Sequence, residues 1–238
     1  MTVYKMLVEL NSPMASSDTF IHMDSFLSYA AGIESIGYDE LHNIEEKSEP
    51  VYFEDEMPLK KYKTSGEWVW ASSVAMTLEE KEIDKWCITN WKKRFDVDQE
   101  HQKKDTQIPI SAGKFKSYNS KLAYAPVERI IFLFEGDPEK VKTLMKNIDG
   151  IGKKTSQGYG KIKDYSIEPT DKQYSIYDSG HTLRSLPKEF ISGIEPGIRV
   201  ERRTVRPPYW HPDNQKMSLP PFTEISRDNI ILEGVKDE

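Results

Sequence analysis

The chain has 238 residues, a formal net charge of −6 and one cysteine, Cys87. A single thiol can build neither an internal disulfide nor a cysteine-based zinc site, which sets aside secreted disulfide scaffolds and zinc ribbons, and Cys87 beside Trp86 reads as a small buried apolar residue. The longest apolar runs, such as residues 130–134, fall far short of the roughly 20 residues that cross a bilayer, and residues 1–10 lack the pattern of a signal peptide, so a cytosolic protein without membrane contact is expected.

Tyr4, Met6, Val8 and Leu10 alternate at period two and predict a first strand with one face on a core, ended by Asn11, Ser12 and Pro13. Met23, Phe26, Leu27, Ala30 and Ala31 then recur at helical spacing, with Asp18 or Thr19 as the cap and Gly32 and Gly37 to close the helix. Between Glu34 and Glu56 nine acids stand against Lys47 alone, a local −8 that leaves +2 for the remainder. That stretch reads as a solvated loop, with a docking surface for a basic partner as the alternative. Residues 67–76, rich in Trp, Val and Ser, read as a strand that residues 51–53 could pair with.

Residues 78–125 hold no sustained period and read as an insertion, opening with a short helix over 78–91. The pattern sharpens at residues 129–134, an apolar run suited to a central strand covered on both faces. Asp137 and Pro138 then supply a cap and a first helical proline, and Val141, Leu144, Met145 and Ile148 form the stripe of a helix ending at Gly150. Residues 161–168 predict another strand, with Lys161, Lys163, Tyr165 and Ile167 on one face and Pro169 as its stop. Two strand-helix-strand units of this kind suggest a ferredoxin-like α+β sandwich over residues 1–169, followed by an irregular, proline-rich extension over 170–238 that could hold a hairpin around 199–205.

The chemistry concentrates at residues 150–160, where Gly150, Gly152, Gly158 and Gly160 surround Lys153, Lys154 and Tyr159, with Lys161 just beyond. Glycines let a phosphate approach backbone N–H groups, lysines neutralise it, and a tyrosine between two glycines can stack on an unpaired base. A nucleotide-binding P-loop fails, because Asn147 stands where its first glycine belongs, Lys154 replaces the magnesium-binding hydroxyl, and the loop follows a helix and precedes a strand. A helix cap followed by a plain turn remains the structural alternative.

The order of strand 129–134, helix 138–148, Gly-x-Gly, a basic stretch and Gly-Tyr-Gly entering a strand resembles the glycine-rich signature of the CRISPR-associated RAMP superfamily. Residues 23–31, 68–74 and 203–210 look like the RAMP subunit of type IV CRISPR systems, which is similar to the type I subunit that holds the 5′ handle of the guide. The resemblance implies a ferredoxin-like or RRM-like core with an inserted thumb and a β-rich C-terminal extension. It also implies binding of CRISPR RNA, the backbone and large subunits of an effector complex as partners with contact to target DNA left open, no cofactor, and a role without catalysis, cleavage of precursor RNA being the alternative.

Further contacts are expected from Lys114 and Lys116 in the insertion, where eight basic residues stand against four acids over 92–121, and where Phe115 and Tyr118 interleave with the lysines. Arg202, Arg203 and Arg206, with Arg199, form a denser cluster suited to phosphate oxygens. Trp210 reads as core packing. The five histidines show no metal-ligand spacing, and no carboxylate pair suggests a two-metal site. His22, at the start of the first helix, is the best placed for acid or base work, although a capping or surface histidine is the simpler reading.

Overall fold

The computed structural model describes residues 2–16, 20–44, 51–64, 66–93, 118–194 and 196–232. The opening alternation forms β1 (Val3–Leu10), which buries Met6, Val8 and Leu10 on one face, and β2 (Met14–Ser16) follows a bend at Asn11 and Ser12. Helix α1 (Met23–Ile36) buries the expected stripe of Met23, Phe26, Leu27, Ala30 and Ala31. Its N-cap is His22, which makes no side-chain cap bond; Asp18 and Thr19, the expected caps, lie outside the described residues. Gly32 does not close the helix but lies within it, where the Phe53 ring occupies the space a Cβ would need, at 2.8 Å. Gly37 does close it, at φ 86° with its N–H on the Ile33 carbonyl, and leads into the short α2 (Tyr38–Asn43).

The Trp-rich segment pairs elsewhere than expected. The Thr64 N–H donates to the Glu67 carbonyl at 2.8 Å and folds β3 (Lys61–Lys63) onto β4 (Trp68–Trp70), so residues 51–53 are not its partner. Beyond β4 the chain continues as single bridges, Ser72 to Phe134 and Met76 to Ile131, both antiparallel. The helix expected over 78–91 is absent. Its second half is β5 (Cys87–Lys93), paired antiparallel with β6 (Tyr118–Ala125), whose other edge takes β2. Leu78 and Ile88 are exposed and offer no buried stripe for a helix, while Ile88 and Thr89 are β-branched residues suited to an extended ladder. As a consequence Cys87 lies exposed on an edge strand, not buried.

β7 (Arg129–Phe134) is buried at every position but the first, and Asp137 caps α3 (Pro138–Met145) by accepting from the Glu139 and Lys140 N–H groups, a bond worth about 1 kcal/mol. β8 (Ile162–Thr170) runs through Pro169, which an edge strand tolerates because its N–H side faces no partner. A register shift between Glu9 and Leu10 sets Leu10 opposite Ile162 and Glu9 opposite Asp164. One residue is thereby skipped, and Ile162 joins Tyr165 and Ile167 against the core instead of facing away from them.

The central sheet runs β8, β1, β7 and then residues 72–76, with every neighbour antiparallel. Helices α1 and α3 cover one face, where Phe26 meets Phe132 edge-on at 5.3 Å. The other face, with Val3, Ile131 and Leu133, is covered by Leu183 and Phe222 from the C-terminal segment. Each such side chain contributes roughly 1.5–3 kcal/mol on burial, so this covering accounts for the apolar run in β7. The C-terminal segment is built of short strands: β9 (Tyr177–Asp178) with β10 (His181–Thr182), and β11 (Leu186–Pro187), β13 (Gln215–Leu219) and β12 (Glu201–Thr204) side by side. Among the described residues no helix is long and apolar enough to cross a membrane.

Candidate nucleic-acid interface

The glycine-rich loop is tied down by its own backbone. Ile151 donates to the Gly160 carbonyl at 2.9 Å, Lys153 to Ala15 at 2.7 Å and Gly160 to Pro13 at 2.8 Å, while a single 3₁₀ turn at Thr155–Gln157 closes the tip. Gly152 at φ 95° and Gly160 at φ 59° are required by this close approach: a Cβ would lie 2.3 Å from the Ala15 oxygen at the first and 1.9 Å from the Ile151 oxygen at the second. The amides of Ile151, Lys153, Gln157, Gly158, Tyr159 and Gly160 all donate to protein carbonyls. What the loop offers a ligand is therefore chiefly its side chains. Lys153 is exposed, Lys154 is half-buried in the left-handed region, and Tyr159 tilts towards Tyr124 of β6 at 6.3 Å.

Gly150, Gly152, Lys153 and Thr155 form one wall of a cleft of about 770 Å³. The second wall is the start of α1, with His22, Ser25 and Tyr29. The third is the arginine strand β12 and its neighbour β13, with Arg202, Arg203, Thr204 and Gln215. Phe20, Ile21, Phe26 and Ile148 supply apolar lining, and Glu201 is the acid among these cations. Its carboxylate is taken up by Arg203 and Arg199, each at 2.5 Å, and the Arg203 guanidinium also lies 5.0 Å over the Phe20 ring.

Beneath the cleft, Arg184 is completely buried. It bonds the carbonyls of Trp70, Ser72 and Val205 and the carboxylate of Asp24 at 3.2 Å, and Tyr209 donates its hydroxyl to the same carboxylate at 2.9 Å. Burial raises the Asp24 pKa, against the opposing pull of Arg184 and Tyr209, and burial likewise drives the Tyr209 hydroxyl well above its ordinary value. His22 stacks on Tyr209 at 4.9 Å. Burial, with help from Arg184 and Arg203, pushes its pKa well below 6.5, so the imidazole is neutral at physiological pH.

Of the residues expected to contact a ligand, Gly150, Gly152, Lys153, Arg202 and Arg203 meet at this cleft, whereas Lys154, Gly158, Tyr159, Gly160 and Lys161 lie along the loop away from it. Arg206 is turned inward. It bonds Glu67 at 2.8 Å and the Trp68 carbonyl at 3.0 Å, and its guanidinium lies 4.6 Å over the Trp68 ring. Lys114 and Lys116 fall outside the described residues. Trp210 is 62% exposed and does not pack into the core; it is Tyr209 beside it that turns inward to Asp24. The sequence reading missed Gln215, Ser185 and Arg184, of which only Arg184, a cation amid Thr, Leu, Ser and Leu, carries a signal, that of a charge placed for burial. Among the described residues no three His, Cys, Asp or Glu side chains gather to hold a metal ion.

The family model for CRISPR type IV associated protein Csf3 matches residues 3–221. Among curated proteins no sequence matches. Among solved structures, a chain of the cryo-EM structure of the Type III-B Cmr-beta bound to cognate target RNA is similar at 12% identity and a TM-score of 0.32, over 70% of this chain and 60% of that one.

Proposed function

Given that the chain belongs to the Csf3 family of CRISPR type IV associated proteins, we propose that it is a non-catalytic RNA-binding subunit of a type IV effector complex, holding the 5′ handle of the guide and capping the filament of backbone subunits. The observation that carries this reading is the meeting of Lys153, Arg202 and Arg203, from segments far apart in sequence, around one cleft with apolar and aromatic lining. Cations neutralise phosphates and aromatic faces receive unpaired bases, the combination that single-stranded RNA requires. The chain's acidity, concentrated between Glu34 and Glu56, is then directed away from the RNA or towards partner proteins in the cytosol.

The same reading takes residues 1–169 as a ferredoxin-like core, supported by the antiparallel order of β8, β1, β7 and residues 72–76 with both helices on one face. On this reading the paired strands β5 and β6 are the base of the inserted thumb, and residues 170–238 are the extension. The test is titration of the full chain, alone and co-expressed with its genomic neighbours, against labelled guide RNA at two salt concentrations. Lys153→Ala/Arg202→Ala is expected to weaken binding and flatten its salt dependence with the RNA intact; unchanged binding within the assembled complex overturns the reading.

A second reading, a metal-independent endoribonuclease, is favoured by the neutral imidazole of His22 at the cleft, a form able to take a proton from a 2′-hydroxyl. Cleavage in the same titration that is lost in His22→Phe would promote it.

A further inference from the structure

Holding phosphates requires cations at a surface, yet the lining of this cleft also includes polar groups with nothing to do. Ser185 is completely buried and His22 is 7% exposed, and the Ser185 Oγ and the His22 Nδ1 each lack a hydrogen-bond partner. The Gln215 carboxamide, on β13 at the opposite wall, makes no hydrogen bond among the described residues. A sealed polar atom without a partner costs about 1–3 kcal/mol, and native folds retain few of them. Two such atoms and an idle carboxamide around one cavity mark it as built for an occupant that supplies the missing partners.

The chemistry of the three groups narrows the occupant. A neutral imidazole carries one donor and one acceptor, a hydroxyl can serve as either, and a carboxamide presents both side by side, the pattern that matches the edge of a nucleobase. None of the three is charged, so none adds to the attraction for phosphate. The His22–Tyr209 stack and Phe20 give flat apolar faces, and the volume of about 770 Å³ lies within the roughly 300–1,000 Å³ of sites that enclose a small organic molecule. Lys153 and Arg202 stand exposed at the rim, where the phosphates on either side of such a base would pass.

We propose that the cleft is a reading pocket for one unstacked nucleotide of the RNA, its base turned inward to His22, Ser185 and Gln215 and its flanking phosphates held by Lys153 and Arg202. This rests on the RNA-binding reading above and adds selectivity to it: one position of the bound RNA is identified by its base, and its neighbours are held by backbone alone. Gln215 is a specificity-determining residue, and a small rotation of Ser185 or of the His22 ring completes the edge.

The experiment uses the complex as it assembles and the RNA that copurifies with it, resynthesised as a set of oligonucleotides with an abasic site at each position in turn. Affinities are measured for wild type, Gln215→Ala, His22→Phe and Lys153→Ala/Arg202→Ala. One abasic position is expected to weaken wild-type binding about tenfold, the value of one buried and stacked base, and the others far less. All four bases are then placed at that position, where wild type discriminates and Gln215→Ala does not. Equal losses at every position, with Lys153 and Arg202 still needed, overturn the pocket and leave RNA binding standing. Indifference of binding to Lys153 and Arg202 overturns both. Should His22→Phe fail to fold, Gln215→Ala decides alone, since Gln215 is half-buried at the start of β13 and its side chain makes no hydrogen bond among the described residues.

Discussion

The glycine-rich loop and the arginine-bearing C-terminal segment both bring positive charge to the cleft, but they are held in opposite ways. In the loop the backbone does the holding, through amides donated to Ala15, Pro13 and Gly160, and the Lys153 side chain remains exposed. In the C-terminal segment side chains do the holding: Arg184 is consumed under the cleft, Arg206 against Glu67 and Trp68, and Arg203 against Glu201 and the Phe20 ring, while Arg202 stands exposed at the cleft. Counting cations in sequence therefore overstates the second region. Half of an arginine cluster can be architecture.

The comparison breaks most sharply at Arg184. Arg184→Met strips Asp24 of its cationic partner, with only the Tyr209 hydroxyl remaining on the carboxylate, and removes the donors to the Ser72 and Val205 carbonyls, an expected loss of about 3–5 kcal/mol by urea denaturation, while Arg184→Met/Asp24→Leu recovers much of it. Next come the loop glycines. Gly160→Ala, at φ 59° with a carbonyl in the way of its Cβ, is expected to cost more than about 2 kcal/mol, whereas Gly158→Ala, at φ 91° but with open space around it, costs about 1 kcal/mol. Equal effects at the two positions would show that the close approach to Ile151 is not what the glycine serves.

Two arginines from the same segment then separate stability from binding. Arg206→Ala is expected to lose roughly 1.5–3 kcal/mol of stability through its bonds to Glu67 and Trp68, with RNA affinity of the folded protein unchanged. Arg202→Ala leaves the melting temperature in place and lowers the salt slope of RNA binding by about one. The smallest effect is with pH. Since the folded state holds the His22 pKa below its ordinary 6.5, the unfolded chain binds the proton first, and stability falls as pH drops from 6.5 through the folded value. His22→Phe removes that part of the slope between pH 7.5 and 5. Asp24, its pKa raised chiefly by burial, acts in the other sense: its contribution is present below 3.8 and is lost as pH rises through the folded value.

Strands β1 and β7 and helices α1 and α3 were legible in the sequence because their apolar residues keep a period over several turns or pleats. The hairpin of β5 and β6 was not, since its exposed Ile88 and paired Thr89 carry no one-sided pattern and its stability comes from a partner strand distant in the chain, Cys87 pairing with Tyr124. The bulge beside Leu10 was invisible for a related reason: it changes which residues of β8 face the core without changing either strand's own alternation. At the cleft, lysines and glycines announced themselves by composition. Gln215 and Ser185 could not, because an idle carboxamide or hydroxyl is recognised only by the absence of neighbours that the fold brings, or fails to bring, to it.

The three walls of the cleft come from residues 20–29, 148–155 and 201–215, with Arg184 beneath tying the first to the last through Asp24 and Val205. During synthesis the first two walls leave the ribosome well before the third, and domain parts that depend on distant contacts close late. A nascent chain thus acquires its cleft as one of its last acts, and truncated or damaged copies lacking β12 and β13 have no such cleft to offer. Any ligand that fills the finished cleft also reports on the whole chain, because it binds only the closed form and shifts the folding equilibrium towards it.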